Sequence, residues 1–236
     1  MNTKIRLLPV VSFLAISIAM RASPNPTVTV VGRLREVMLG DSTAKVRLND
    51  LDLTHVYAVG PIAEMDGEIT IADGRISLAR VQADGSIAID HKPSTNAAFL
   101  VYSHVKGWHD VKIPSSVITA LDLERFVETS AKQMGFDTEA PLPFLIKGAF
   151  KDITFHVIRK VNAGMSPHSN QANFTEHDIS GRIVGFFSKH HQGIFTHHDS
   201  FVHMHLDAES VKFSGHVESL AFSPTAECTL LLPSSD

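Results

Sequence analysis

The sequence predicts an α+β fold of two β-sheet-rich subdomains with few helices. Apolar and polar residues alternate in short runs separated by Asp-Gly pairs, which is typical of antiparallel hairpins. Residues 119–134 follow a helical period instead, and strand patterns return from Phe144 onward. We therefore expect one domain over residues 24–236, with a β-rich half at 24–145 that carries the helix and a β-rich half at 146–236.

The first residues have the pattern of a secretory signal peptide, which we assign to residues 1–23. Lys4 and Arg6 precede an apolar run, Leu7–Met20, and small or turn-forming residues follow it. An uncleaved anchor or a buried N-terminal helix is the alternative, although fourteen apolar residues are short for a membrane span. The signal predicts an exported protein, periplasmic or secreted, with no membrane contact after cleavage.

Local signals predict the elements of the N-terminal half. Thr27–Val31 is typical of a strand, and Gly32–Asp41 of a short helix. Asp73-Gly74 and Asp84-Gly85 lie between alternating runs and predict two hairpin turns. With a further apolar strand at Ala97–Val105, these signals predict a meander ahead of the long helix.

The long helix and the strands after it complete the prediction. Thr119 and Asp122 have the spacing of a capping box, and Gly135 ends the apolar stripe. The polar stretch Asn162–His177 predicts a loop. The strands predicted in this region are Phe144–Ile158, Ile179–Phe187, Ser200–Ala208, Val211–Phe222 and Glu227–Pro233.

Composition excludes some functions. The formal net charge is −4 and both signs are scattered, so no basic patch indicates a nucleic-acid partner. The single cysteine, Cys228, allows no intrachain disulfide, so an exported chain of this kind depends on its core or on a bound metal. The unusual feature is the content of 14 histidines, of which seven lie between His190 and His216.

His203, His205 and His216 form the strongest candidate site. Residues two apart on a strand face the same side, so His203 and His205 can share one metal ion. A turn after this strand would return His216 beside them, with Gly215 allowing close backbone approach. Three neutral imidazoles with an open fourth position are typical of a catalytic zinc site. In a histidine-rich chain, however, the same spacing also fits an exposed strand that binds no metal.

Two further features have a functional and a structural interpretation. His190, His191, His197 and His198 occur as adjacent pairs, whose members point to different sides of an extended chain. We interpret them as an exposed rim that borders a substrate entrance or carries pH-dependent charge. Glu68 begins a predicted hairpin strand, where its carboxylate is a metal ligand, an acid or base, or a solvated surface group.

Four motifs occur in order along the chain, between about Gly32 and Pro233. They are Met65-Asp66-Gly67-Glu68, Gly148-Ala149-Phe150, Gly181-Arg182-Ile183-Val184-Gly185-Phe186, and His203-x-His205 followed by Gly215-His216. Together they resemble the α-acetolactate decarboxylase family over essentially the whole mature chain. Ordered motifs with kept spacing are more specific than a histidine pair alone, so the resemblance favours a metal site.

The resemblance implies a zinc-dependent carboxy-lyase that converts 2-acetolactate, a 2-hydroxy-2-methyl-3-oxo acid, to acetoin and CO₂. It implies zinc ligands at His203, His205 and His216, and a role for Glu68 as ligand or proton-transfer group. Its partner would be a small hydroxy-keto acid, and its assembly a homodimer. Bound zinc would accept the negative charge that departing CO₂ leaves on the substrate.

Two positions depart from the family pattern. Eight residues after the glycine of its G-x-F strand the family has an active-site arginine, whereas this chain has His156, which we assign to the catalytic site. Arginine binds a carboxylate with a bidentate fork, whereas histidine offers one hydrogen bond. Arg159 lies nearby, but its odd offset places it on the other face of a strand. The family's second active-site glutamate, in its C-terminal stretch, has no match.

These departures leave two alternatives to the decarboxylase. One is a zinc enzyme on the same scaffold with altered chemistry, such as proton transfer or hydrolysis on a hydroxy-carbonyl substrate without a carboxylate. The other is a non-catalytic zinc-binding exported protein, which would use the histidine-rich segment 190–198. An electrostatic clamp can contribute several powers of ten in rate, so the change at His156 weighs against decarboxylation.

Overall fold

Two antiparallel sheets make up most of the molecule. The computed structural model describes residues 25–160, 170–223 and 225–234, so the predicted signal peptide lies outside the described residues. Each large sheet has six strands, and a small two-stranded sheet and two α-helices accompany them in the described ranges. None of the described helices is long and apolar enough to cross a bilayer. The predicted α+β class with two β-rich regions is confirmed.

The first sheet contains the predicted meander. Its strands are β1 (Val28–Val31), β3 (Val56–Pro61), β4 (Glu68–Ala72), β5 (Arg75–Val81), β6 (Ile87–Asp90) and β8 (Leu100–His104), while β2 (Val46–Arg47) and β7 (Asn96–Ala97) pair separately. The order across the sheet is β1-β8-β3-β4-β5-β6. Both predicted Asp-Gly turns are confirmed, since β4, β5 and β6 are joined as antiparallel hairpins. Asp73 and Gly74 have φ angles of 52° and 76°, the positive pair that a tight hairpin turn requires.

The two helices begin and end near the predicted residues. Helix α1 spans Leu34–Met38, inside the predicted segment, and helix α2 spans Ala120–Gln133. The capping box forms as predicted: the Asp122 N–H donates to Thr119 Oγ1 at 3.2 Å, and the Thr119 N–H donates to Asp122 Oδ2 at 3.0 Å. The apolar stripe of α2 is buried in the core of the second sheet.

The second sheet closes on itself. Its strands are β9 (Trp108–Lys112), β10 (Leu142–Ile158), β11 (Gln171–Phe187), β12 (Val202–Ala208), β13 (Phe213–Phe222) and β14 (Thr229–Pro233). Their order is β11-β12-β13-β10-β14-β9, and an additional pairing joins β11 to β10. Strands β10, β11, β12 and β13 therefore form a closed ring. A ring holds the strands of the candidate site at fixed positions relative to one another, because none of the four is a free edge.

The predicted loop at Asn162–His177 is wrong over its second part. Strand β11 begins at Gln171 and pairs with β10 from Gln171 opposite Ile158 onward, whereas residues 162–169 lie outside the described part of the chain. Asn173, Thr175 and His177 are exposed, whereas Asn170 is buried, and the ring of Phe174 stacks on that of Phe155, with centroids 5.5 Å apart. Ladder hydrogen bonds and one partly buried ring are enough to hold a strand that looks polar in sequence.

The boundary between the sheets falls earlier in the chain than the sequence places it. The first sheet ends with His104, and β9 already belongs to the second sheet, whereas the predicted halves meet between residues 145 and 146. Strand β9 pairs along β14, with Trp108 opposite Pro233. A strand that follows directly in sequence can thus join the other sheet, because its partner comes from the far end of the chain.

A buried ion cluster joins the two sheets. Asp207 on β12 is 6% exposed and accepts from two guanidinium groups, Arg75 Nη2 at 3.0 Å and Arg182 Nη2 at 2.6 Å. Arg75 lies on β5 of the first sheet, and Arg182 on β11 of the second. Because a buried carboxylate needs such partners, the cluster fixes β12 against the first sheet.

Candidate metal centre

Three neighbouring strands place histidines in one row. His205 on β12 lies opposite His216 on β13, and His216 lies opposite His156 on β10. His203 precedes His205 by two residues and faces the same side of β12. Strand pairing thus brings together His203, His205 and His216, as their spacing predicts, and adds His156 from a distant part of the sequence.

The three predicted metal ligands converge. One ligand atom from each of His203, His205 and His216 lies within 4.8 Å of the others. All three are buried, with 3%, 0% and 8% of their surface exposed. The alternative of an exposed strand therefore does not fit this structure, because the three rings are buried and lie close to one another.

Burial keeps these imidazoles neutral. It lowers the pKa of His203 to about 3 and lowers the pKa values of His205 and His216 well below their ordinary value, and the neighbouring histidines act in the same direction. A neutral imidazole carries the lone pair that a metal ion requires. The site therefore presents three such donors without first losing protons.

The donor set fits a zinc ion. Nitrogen ligands at adjacent corners of a tetrahedral zinc site lie about 3.3 Å apart, and His203 Nε2 and His205 Nε2 are separated by 3.2 Å. Thr70 Oγ1 lies 3.2 Å from His205 Nδ1 and itself accepts a hydrogen bond from Ser214 Oγ at 3.0 Å. Such a partner on the second ring nitrogen orients a ligating imidazole.

Close backbone packing beside His216 depends on Gly215. A Cβ at this position would lie 2.5 Å from the carbonyl oxygen of His156 and 2.8 Å from a ring carbon of Phe155. The expected close approach at Gly215 is confirmed. It allows β13 to lie against β10, so that the rings of His156 and His216 stack with centroids 4.8 Å apart.

Glu68 lies beside both His156 and the metal ligands. Its Oε1 is 3.7 Å from His156 Nε2, and its Oε2 is 3.9 Å from His205 Nε2. The residue is 3% exposed, so the structure does not place it as a solvated surface group. Burial raises the pKa of Glu68 well above its ordinary value, and the charge of Glu218 acts in the same direction. The first residue of β4 thus carries a carboxyl group that can hold a proton inside the site.

Glu218 completes the site, although the sequence does not single it out. It is the extra residue of a β-bulge, since Phe155 pairs with Val217 and Thr154 with Ser219. Its Oε1 lies 2.6 Å from His156 Nδ1, and this bond lowers the pKa of Glu218. The offset of two residues from His216 on the same strand is the signal that could have found it.

The site opens into a cavity of about 640 Å³. Helix α1, the segment from Gln192 to His198 and the histidine row form its walls. Within the segment, His197 Nε2 lies 3.2 Å from His216 Nε2, and Thr196 Oγ1 is buried without a hydrogen-bond partner among the described residues. An unpartnered hydroxyl in a cavity wall is available to a bound molecule.

The four rim histidines separate into two pairs. His197 and His198 line the cavity, the position that the sequence predicts for this segment. His190 instead pairs with Glu139, Nε2 to Oε2 2.7 Å, and His191 Nδ1 lies 2.7 Å from Ser188 Oγ. The second pair therefore helps to hold the surface of the segment rather than to form the cavity.

Arg159 does not replace the missing arginine. Strand β10 ends at Ile158, and Arg159 is an exposed residue beyond it, whose N–H donates to the Asn170 carbonyl oxygen at 2.8 Å. It is not one of the described residues that line the cavity. His156 lies in the site, as predicted, but its ring nitrogens face Glu218 and Glu68.

Comparisons with known proteins agree with this fold. The model of the alpha-acetolactate decarboxylase family matches residues 30–230, so the chain belongs to this family of decarboxylases. An alpha-acetolactate decarboxylase from Bacillus subtilis strain 168 has the same fold, with 18% identity, a TM-score of 0.70, and coverage of 88% of this chain and 85% of that chain.

Two further solved structures share the fold at similar distance. The acetolactate decarboxylase of Bacillus subtilis subspecies spizizenii has 18% identity and a TM-score of 0.69, covering 87% of this chain and 85% of its own. A Staphylococcus aureus protein of unknown function, described as similar to alpha-acetolactate decarboxylase, has 16% identity and a TM-score of 0.70, covering 88% and 85%. No curated protein compared with this chain matches it.

Proposed function

We propose that this protein is a zinc-dependent decarboxylase that converts 2-acetolactate, or a close 2-hydroxy-3-oxo acid, to acetoin and CO₂. The observation that carries the proposal is the meeting of three buried neutral imidazoles with Glu68 at one end of a cavity, in a chain of the decarboxylase family. In this reaction the bond to the carboxylate carbon breaks, its electron pair stays on the remaining carbon, and a proton takes the place of CO₂.

His203, His205 and His216 would hold the zinc ion. The chemistry that zinc supplies when bound is stabilisation of the negative charge that develops on the substrate oxygens. The ring of His205 is held in place by Thr70 and the ring of His216 by stacking on His156. The protein thereby fixes the donor atoms before the substrate arrives, which avoids reorganisation during the reaction.

Glu68 is the group placed to move the proton. Its carboxyl oxygens lie within 4 Å of His156 Nε2 and His205 Nε2, and its burial favours the protonated carboxyl. A carboxyl group at this place can deliver a proton to the carbon that CO₂ leaves. The Thr196 hydroxyl, buried in the cavity wall, is available to orient a substrate oxygen.

A second candidate function is an altered reaction on a neutral hydroxy-carbonyl substrate. The observation that favours it is the bond between His156 and Glu218, at the position where the family has an arginine. A histidine that already binds a carboxylate offers little to a second one. Proton transfer between carbon atoms would then need Glu68 and the zinc site but no bound carboxylate. A non-catalytic zinc protein is the remaining alternative.

The experiment that separates these functions is an acetoin assay on racemic acetolactate, with zinc quantified in the same sample. The decarboxylase predicts acetoin formation that requires bound zinc and is strongly reduced in Glu68→Gln. Zinc binding without acetoin would leave the altered enzyme or the zinc-binding protein. Acetoin formation that is unaffected after zinc removal would contradict the metal role.

We also propose export and a homodimer. Export is supported by the basic and apolar pattern of residues 1–23, and its test is the N-terminal sequence of the protein recovered from outside the cytoplasm. The dimer is supported by the family resemblance, and its test is the mass in solution by sedimentation equilibrium. Retention of residues 1–23, or a monomeric mass, would contradict the respective proposal.

A further inference from the structure

We propose that Arg35 binds the carboxylate of the substrate at the mouth of the cavity. It would take the role that the family resemblance gives to the arginine at the position of His156. This inference rests on the proposed function, since it names the group that selects an acid as substrate. Four observations carry it: the partners of His156, the charges of the cavity wall, the anchoring of helix α1 and the exposure of the Arg35 side chain.

His156 is already occupied by protein carboxylates. Its Nδ1 lies 2.6 Å from Glu218 Oε1, and its Nε2 faces Glu68 Oε1 at 3.7 Å and Gln171 Nε2 at 3.5 Å. A substrate carboxylate placed on this ring would lie close to the charged carboxylate of Glu218, which already accepts from the ring. Like charges at such distances oppose binding, so the ring is a poor anion site.

Arg35 gives the cavity wall a permanent positive charge. Among the described residues that line the cavity, it is the single lysine or arginine. Arg75 and Arg182 are not in the wall, because both bind Asp207 between the sheets. A guanidinium is always charged and presents a fork that matches the two oxygens of a carboxylate.

The backbone of helix α1 holds Arg35 at the mouth. The Leu34 N–H donates to the Ile194 carbonyl oxygen at 2.8 Å, and the Arg35 N–H donates to the Gly193 carbonyl oxygen at 3.0 Å. Val37, on the buried side of the helix, is 2% exposed and packs in the core. Helix α1 is therefore tied to the segment that carries His197 and His198. Arg35 lines the cavity with a solvent-exposed side chain, and we call this solvent-exposed side of the cavity its mouth.

This placement gives the substrate a direction. The carboxylate would lie toward the mouth, and the hydroxyl and carbonyl groups would lie toward the histidine row. Such an orientation keeps the anion away from the buried histidine row and leaves the departing CO₂ on the open side of the cavity. Arg35 thus favours binding of an acid over its uncharged analogue. It contributes to substrate binding and takes no part in breaking the bond to CO₂.

The test measures binding of two matched probes to the zinc-loaded full chain by calorimetry. The probes are 2-hydroxy-2-methylbutanoate and its primary amide, which differ in the charge of one group. We expect Arg35→Gln to weaken binding of the acid by about tenfold, the effect of a charge-assisted hydrogen bond at an exposed site. Binding of the amide stays unchanged, and Arg35→Lys keeps part of the affinity for the acid.

Arg33→Gln is the matched control. Arg33 lies two residues away, is exposed, makes no capping bond with its side chain and does not line the cavity, so its removal changes the net charge equally. Equal affinity of wild type and Arg35→Gln for the acid would overturn the inference, and so would an equal loss for acid and amide. Loss of acid binding on Arg33→Gln to the same extent would also overturn it, because the effect would then be one of net charge.

The outcome is distinct from that of the proposed function. Binding of the acid through Arg35 without acetoin formation would support the role of Arg35 and contradict the decarboxylase. Acetoin formation with equal KM in wild type and Arg35→Gln would support the decarboxylase and contradict the role of Arg35.

Discussion

At the scale of single residues, the candidate centre depends on which histidines face inward. His205 is fully buried in the row, whereas His198 is exposed at the mouth of the same cavity. Both are histidines of one polypeptide segment, so composition alone does not distinguish them. The alternation of side chains along β12 does, since it turns His203 and His205 to one face.

We therefore expect His205→Ala to remove bound zinc and His198→Ala to leave it in place. Loss of a ligand should weaken zinc binding by more than about 100-fold, the upper range for changes in groups that only support a ligand. The measurement is zinc per chain after dialysis, with circular dichroism to verify the fold. Equal zinc content in the two variants would contradict the assignment of the centre.

The buried histidines also predict how the metal-free protein responds to acid. In the unfolded chain an imidazole binds a proton below about pH 6.5, its ordinary pKa. In the folded protein the pKa of His203 is about 3, so its ring binds a proton only near pH 3. The unfolded state therefore binds more protons in this window, so stability falls as the pH falls from about 6.5 toward 3. The raised pKa of Glu68 acts in the opposite direction.

A His203→Gln variant tests this dependence. Each buried imidazole contributes a slope of about 1.4 kcal/mol per pH unit to the free energy of unfolding. Near pH 5 the slope of the metal-free variant should be shallower than that of wild type by about this amount. Urea unfolding at a series of pH values measures the slope, and identical slopes in the two proteins would refute the burial of a neutral His203.

At the scale of elements, close packing of β13 against β10 positions His216. Gly215→Ala would place a methyl carbon 2.5 Å from the His156 carbonyl oxygen, so the two strands must move apart. We expect a loss of stability of ~1–3 kcal/mol, typical of overpacking, together with weaker zinc binding. Thermal unfolding measures the loss of stability, and the zinc content of the same preparation measures the loss of zinc binding.

Gly181→Ala is the matched control for this packing. A Cβ at Gly181 on β11 would lie 3.1 Å from Ala208 Cβ and 3.3 Å from Leu206 Cδ1, so its two nearest neighbours would be side-chain carbons. Its effect on stability should be smaller, and zinc binding should be preserved. If the two alanine variants lose the same stability and the same zinc, Gly215 has no special part in the centre.

Local signals predicted most of the elements because each depends on nearby residues. The Asp73-Gly74 turn requires two positive φ angles, and the capping box of Thr119 and Asp122 is complete within four residues. The predicted site residues Glu68, His156, His203, His205 and His216 lie together for a similar reason, since motif spacing and strand alternation place side chains on defined faces. Their chemical roles stay predictions.

What the sequence did not predict depends on pairing between distant strands. Strand β9 joins the second sheet through β14, and the polar start of β11 is held by β10. The offset of Glu218 from His216 indicates a shared face of β13, but its bond to His156 forms at a bulge that the offset does not reveal. In each case the partner lies in another part of the chain, so the pairing itself leaves no signal within one window of sequence.

At the scale of the whole molecule, the chain has the fold of the decarboxylase family, which it shares with a Bacillus subtilis decarboxylase at 18% identity. His203, His205 and His216 have the spacing on which the sequence resemblance rests. At the position where that resemblance implies an arginine, His156 is instead paired with Glu218, and Arg35 is the lysine or arginine among the described residues that line the cavity. The chemical activity therefore has to be measured, since a shared fold does not determine function.

The most direct measurement is the initial rate of acetoin formation from racemic acetolactate as zinc is added to the metal-free protein. We expect the rate to rise in proportion to bound zinc and to reach its plateau at about one zinc per chain, the capacity of one three-histidine site. Binding of one zinc per chain without acetoin formation at any point of the titration would contradict it.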